Sequence, residues 1–186
     1  MPNHCSNRIS IRCDSALKRD LEVLMDCLKN EDLDTVFDFN AVIPMPPELN
    51  PPPVDYRTLS EADRDEICMS DEITNARLRK VYGADNWKDW SIKNWGTKWN
   101  AYEDKILEQG TKSKHPGFPH REAYAFVIYA FSTAWEPPVS VIRKLRKESP
   151  DFQISAFYDK PETEICKSLV NKTYPLDSLE LDVIQP

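Results

Sequence analysis

The sequence predicts an α+β fold: a split βαββαβ sheet with a helical insertion between its halves and a C-terminal extension. Three observations predict it. Residues 6–13 and 152–158 alternate apolar and polar side chains as half-buried strands do, whereas 123–133 is apolar on both alternating faces. Amphipathic helix patterns follow the strands at 6–13 and 123–133, so two strand–helix–strand units can be read, Ile9–helix–Phe37 and Phe126–helix–Ile154, each a crossover that asks for a parallel pairing. Between the units, at about 59–95, lies helical sequence without strand character.

Taken in order, Ile9 and Ile11 point to one face of the first strand and Ser10 and Arg12 to the other. Asp14 can cap the helix that follows, in which Leu17, Leu21, Leu24, Met25 and Leu28 recur at helical spacing. Lys29 and Asn30 end it. Residues 35–43, TVFDFNAVI, read as a second strand on Val36, Phe37 and Phe39, stopped by Pro44, Pro46 and Pro47. Pro51, Pro52 and Pro53 continue a stiff loop. Leu59 and Ser60 open a helix reaching Tyr82, broken near Ser70, Asp71 and Glu72.

A short helix over 85–94 follows Gly83, with Trp87 and Trp90 on one face. Gly96 fits a helix terminus of positive φ, and 97–101 leads into the sheet. Residues 110–121 form a polar loop with local positive charge. Tyr124, Phe126, Ile128 and Ala130 lie on one face of the central strand, with Val127, Tyr129 and Phe131 on the other. Pro137 and Pro138 start the last helix, whose buried side is Val139, Ile142 and Leu145. The tail suggests a helix at 163–169 and an edge strand at 179–184.

The 186 residues suit one domain over 1–158, with 159–186 packed on it as an extension. A net charge of -7 disfavours an open, salt-dependent grip on nucleic acid. It suits solubility, a basic protein partner, or mimicry of nucleic-acid charge. The five cysteines, Cys5, Cys13, Cys27, Cys68 and Cys166, are odd in number and show no close pair. They point to free thiols in a reducing cytoplasm, and the opening residues read as folded sequence rather than a secretory leader. No apolar run reaches membrane-spanning length.

Signatures of catalysis are missing: there is no phosphate-binding loop, dinucleotide fingerprint or HExxH. His4, Cys5, His115 and His120 have no zinc-knuckle spacing, and His4 and Cys5 face opposite sides of a strand. Cysteine spacing fits no iron–sulfur cluster, so neither metal nor cofactor is expected. As a nucleophile, Cys5 beside His4 lacks any feature that lowers its pKa.

Four of the five tryptophans, Trp87, Trp90, Trp95 and Trp99, fall within NWKDWSIKNWGTKWN, and Trp135 lies in FSTAWEPP. These motifs, with MPNHCSNRISI and FNAVIPMP, resemble the Api92-like, YubB ferredoxin-like family of phage, prophage and plasmid proteins, over residue 1 to about 158. The resemblance implies a ferredoxin-like α+β domain, a name for the fold and not for a cluster. Its motif positions here are Asn3, Cys5, Asn7, Asn40, Pro44, Trp90, Asn94 to Trp99, Thr133 to Trp135, Pro137 and Pro138. It implies no catalytic mechanism, and the acidic tail after Tyr158 departs from the family's pattern.

The candidate binding residues are Asn94, Trp95, Thr97, Lys98, Trp99, Trp135 and Glu136. Trp95 and Trp135 are expected to be structural, joining the two motifs across the core edge. Lys98 over an aromatic face could hold an anion. Lys112, Lys114 and Arg121 form a candidate basic patch. The expected function is that of a small non-catalytic intracellular accessory protein of a mobile genetic element. It would bind a host or phage macromolecule, most readily a protein, and modulate defence or nucleic-acid metabolism. One alternative is nucleic-acid binding through an aromatic and basic surface. The other is an enzyme whose pocket gathers Asn94, Lys98 and Glu136 between the two tryptophan motifs.

Overall fold

In the computed structural model of the chain, residues 4–50, 61–113, 123–159 and 174–175 are described. Four long strands form one antiparallel sheet: β1 (His4–Asp14), β2 (Tyr102–Lys112), β3 (Tyr124–Ala134) and β4 (Gln153–Asp159). A two-residue strand, β5 (Tyr174–Pro175), pairs with Phe157 and Tyr158 and ties part of the extension to the sheet. The spatial order is β2-β3-β1-β4-β5. β1 pairs with β3 along its whole length, from His4 opposite Ala134 to Asp14 opposite Tyr124. Its other edge meets β4, from Ser6 opposite Asp159 to Arg12 opposite Gln153.

The expected parallel pairings do not form. β1 and β2 run in the same direction, but β3 lies between them; β3 and β4 likewise flank β1. Each crossover therefore skips a strand, and every neighbouring pair is antiparallel. The helices are α1 (Lys18–Leu28), α2 (Phe39–Val42), α3 (Glu61–Tyr82), α4 (Trp87–Trp95) and α5 (Val139–Glu148). Asp14 accepts a hydrogen bond from Ala16 N at 2.8 Å, but it caps a single 3-10 turn, Ser15–Leu17, and not α1, which begins at Lys18 with no side-chain cap.

Residues 35–43 are not a strand. Asn30 and Thr35 make an isolated bridge, and the chain then turns into α2. The backbone donors that a sheet ladder would need are taken by side chains. Asp104 Oδ2 accepts from Val36 N at 2.6 Å and Phe37 N at 2.8 Å, and also from Thr35 Oγ1. Asn100 Oδ1 accepts from Phe39 N at 2.9 Å, and Asp38 caps α2 through Asn40 N at 2.9 Å. The strand beside β3 is instead 102–112, so Lys112 belongs to β2 and not to a loop. This edge strand is largely exposed, and its charges obscure the alternation.

Two further expectations change. α2, α3 and α4 all precede β2, so the helical insertion lies inside the first crossover rather than between the halves. α3 is continuous through Ser70, Asp71 and Glu72, since 61–82 contains no Gly or Pro to interrupt it. Leu59, Ser60, the proline run, and the predicted elements at 163–169 and 179–184 lie outside the described residues.

The core lies on one face of the sheet. Cys5, Ile9, Ile11 and Cys13 of β1 are buried on that side, while Arg8 and Arg12 of the same strand are exposed on the other. Leu21 and Leu28 of α1 and Val141, Ile142 and Leu145 of α5 pack there. The insertion joins them through an aromatic chain. Phe37 stacks on Phe131 with centroids 5.1 Å apart, Phe39 meets Phe131 and Trp95 edge-on, and Trp95 meets Trp90 at 5.6 Å. The buried described residues of the insertion, Leu78, Trp90 and Trp95 among them, thus thicken the helical face.

Two buried polar groups are testable. Asp38, 3 % exposed, accepts from Asn30 Nδ2 and Asn100 Nδ2, both at 2.7 Å, and from Asn40. Asp38→Ala orphans these amides and should cost more than about 2 kcal/mol, read as a melting-temperature drop of at least about 4 °C. Tyr129 Oη is buried without a hydrogen-bond partner among the described residues, and burial pushes its ionisation well above the ordinary phenol range. Tyr129→Phe should therefore leave the melting temperature unchanged or raise it by about 2–4 °C per kcal/mol relieved. A clear drop would mean that the hydroxyl is satisfied in solution.

Candidate functional site

The two tryptophan motifs meet at the end of the sheet where β3 stops and β2 starts. Asn86 caps α4 by accepting from Asp89 N at 2.9 Å, and Gly96 ends it at φ +86°. A Cβ at Gly96 would sit 3.3 Å from Pro137 O, so this glycine also lets the two motifs approach. Thr97, 1 % exposed, donates to Ala134 O at 2.7 Å, fixing the segment to the end of β3. Trp95 is core: it is 3 % exposed and donates Nε1–H to Ile43 O at 2.9 Å.

Trp135 is not core, contrary to the expectation for it. Its φ is +74°, and Glu136 N donates to Ala134 O across it at 3.0 Å, closing a γ-turn. A bulky residue in this left-handed region is strained. The turn is held by its neighbours: buried Thr133 donates Oγ1–H to Glu136 O at 2.8 Å and accepts from Asn7 Nδ2 at 2.8 Å. The result turns the indole outward, leaving it 37 % exposed beside Trp99, which is 36 % exposed.

Lys98 lies between these indoles. Its Nζ is 4.9 Å from the Trp99 ring centroid and 5.1 Å from that of Trp135. Trp99 in turn packs edge-on against Tyr102 at 6.1 Å, and Tyr102 Oη is hydrogen-bonded to His4 Nδ1. Burial first, then the charge of Glu103, pushes the Tyr102 hydroxyl above its ordinary range, so it stays protonated near neutral pH. Trp135, Lys98, Trp99, Tyr102 and His4 make one continuous rim.

Of the predicted site residues, Lys98, Trp99 and Trp135 are brought together, while Trp95 and Thr97 support them from below. Glu136 is exposed at the turn. Asn94 donates Nδ2–H to Trp90 O at 2.9 Å within its own helix. That amide is thus engaged inside α4, while the Lys98 ammonium lies against the two indoles. His4 and Tyr102 are additions to the site. The sequence considers His4 only as a metal ligand or nucleophile partner, whereas the structure places it on the rim and buries Cys5 on the opposite side. No group of three or more His, Cys, Asp or Glu among the described residues is placed to hold a metal ion.

Lys112 lies apart from the rim, with Nζ 4.9 Å from the Phe126 ring centroid and 3.8 Å from Glu108 Oε1. Lys114, Arg121, His115 and His120 lie outside the described residues. No described helix is long and apolar enough to cross a membrane. Comparison with known proteins finds no matching family model, no matching curated protein and no matching solved structure.

The contrast between the two indoles can be measured. Trp95→Ala removes a buried aromatic and its hydrogen bond and should cost about 3–5 kcal/mol. Trp135→Ala removes a half-exposed ring from a strained turn and should cost less than about 1 kcal/mol. Thermal melts followed by circular dichroism decide between them; equal losses in both variants would return Trp135 to the core.

Proposed function

We propose that this protein is a non-catalytic accessory protein of a mobile genetic element that binds a host or phage protein through the Trp135–Lys98–Trp99 rim. The observation that carries the reading is the Lys98 ammonium held between two partly exposed indoles. Exposed tryptophans are the side chains that most often dominate protein interfaces, particularly on a rigid frame. Here the frame is rigid for a stated reason: the positive-φ turn at Trp135 is tied to β1 by the Asn7–Thr133 hydrogen bond. Strained backbone at such a place is itself a mark of function.

The mobile-element context rests on the resemblance of the tryptophan motifs, FNAVIPMP and the N-terminal stretch to the YubB ferredoxin-like family. We assign the chain to that family and its sheet to the ferredoxin-like βαββαβ arrangement. Supporting the fold assignment are the order β2-β3-β1-β4, the antiparallel neighbours, and the crossovers carrying α1 and α5. The proposed site of action is the cytoplasm, where the free thiols are stable. Modulation of host defence or nucleic-acid metabolism is the role that fits such a carrier.

The test is affinity capture from host lysate with the wild-type chain, Trp99→Ala, Trp135→Ala and the double variant. A specific protein should be retained by the wild type and lost from the double variant while its circular dichroism stays native. A partner retained equally by all four proteins would place recognition elsewhere. No reproducible partner at cellular concentration would remove the reading.

A further inference from the structure

The face of the sheet opposite the helices carries a second arrangement. On β1 the outward residues between the strand ends are Ser6, Arg8, Ser10 and Arg12. Arg8 stands between Ala130 of β3 and Phe157 of β4, and Arg12 between Phe126 and Gln153. The Arg12 guanidinium lies 5.5 Å from the centroid of Tyr124. Arg8, Ser10, Arg12, Ile128 and Phe157 line a depression of ≈ 340 Å³. Within it the Ser10 hydroxyl has no hydrogen-bond partner among the described residues.

Both arginines are exposed, and neither has an ion-pair partner among the described residues. On β2, Lys105 and Lys112 align with Ala130 and Tyr124 and so belong to this face. The acids there are peripheral: Asp14 lies at the end of β1, where it and Asp151 border Arg12 and Tyr124; Asp159 lies at the end of β4; Glu103, bonded to Ser132, and Glu108 lie on the edge strand. The centre of the face is thus cationic and aromatic although the whole chain carries -7.

We propose that this sheet face, open among the described residues, binds single-stranded nucleic acid. Phosphates would meet Arg8 and Arg12, and unpaired bases would lie on Tyr124 and Phe157. The chemistry selects this occupant. Aromatic rings on an antiparallel sheet take base faces, and flanking cations take the phosphodiester. Tyr124 and Phe157 are offset by six register positions along the strands, about 20 Å, so an extended strand can run diagonally over Arg12, Ser10 and Arg8. A duplex keeps its base faces stacked internally and cannot use this platform. The proposal is independent of the protein-binding rim and places the nucleic-acid contact on a different surface from it.

The experiment is fluorescence anisotropy with labelled oligo(dT), oligo(U) and a duplex of equal length, using the full chain. Binding of one or both single strands is expected, with the duplex weaker. A fourfold rise in salt should lower affinity about 7- to 50-fold if two to four phosphates are contacted. Arg8→Glu with Arg12→Glu should lower it at least about tenfold. Tyr124→Leu, which keeps an apolar residue on the strand, should lower it about 5- to 150-fold. Trp135→Ala should leave it unchanged, and each variant is checked by its circular dichroism melt.

The proposal is overturned by absence of single-strand binding at low salt, by equal duplex affinity, or by full affinity in the folded Arg8→Glu, Arg12→Glu variant. Sedimentation of the same samples covers the remaining occupant. A dimer that dissociates in that variant, without oligonucleotide binding by the wild type, would assign the face to a second copy of the chain.

Discussion

The buried carboxylate of Asp38 is the constraint on which the remaining packing depends. It stands between Phe37 and Phe39, two residues with no exposed surface, and it gathers the amides of Asn30, Asn40 and Asn100. A carboxylate is buried at great cost unless every oxygen is satisfied, so these amides are fixed as firmly as the acid. Asn30 follows α1, Asn40 lies in the first turn of α2 and Asn100 precedes β2. One side chain therefore joins the first helix, the insertion and the edge of the sheet. Asp104 adds a second carboxylate from β2, holding Thr35, Val36 and Phe37. With the backbone fixed in this way, Phe37 and Phe39 reach Phe131 and Trp95, and the aromatic chain closes.

That closure determines the form of the rim. Trp95 is drawn inward by Phe39, Trp90 and the carbonyl of Ile43. Trp99, four residues later and beyond the positive-φ turn at Gly96, emerges on the outside. Trp135 reaches it from the other motif through a turn that is unfavourable for its own backbone. The Asn7–Thr133 hydrogen bond offsets this strain and links the rim to the centre of the sheet. Binding at such a site would lose little conformational entropy, because its backbone is already ordered.

The two faces of the sheet have separate chemistry. Period-two alternation in β1 sends Cys5, Ile9 and Ile11 to the helices and Arg8 and Arg12 to the opposite side. β3 is apolar in both directions, yet for two reasons: Val127, Tyr129 and Phe131 fill the core, whereas Tyr124, Phe126 and Ile128 make the floor of the open face. Net charge alone hides this division, because the acids of the described chain lie mostly away from the middle of that face.

By itself the sequence determined those elements whose cause is local. α1 and α5 follow from apolar spacing, β1 and β4 from alternation, the turn before α1 from Asp14, and the end of α4 from Gly96. It also brought attention to both tryptophan motifs. Tertiary structure alone decided what depends on distant partners. Residues 35–43 have strand-like composition, but Asp104, 67 residues beyond Phe37, takes the donors a strand would use. β2 escaped notice because an exposed edge strand needs few apolar residues. Trp95 and Trp135 are the same residue type; burial of one and exposure of the other follow from the helix packing at Phe39 and the sign of φ at Trp135. Periodicity reports which face of its own element a side chain occupies, and it carries no information about which distant carboxylate or carbonyl will claim the backbone beside it.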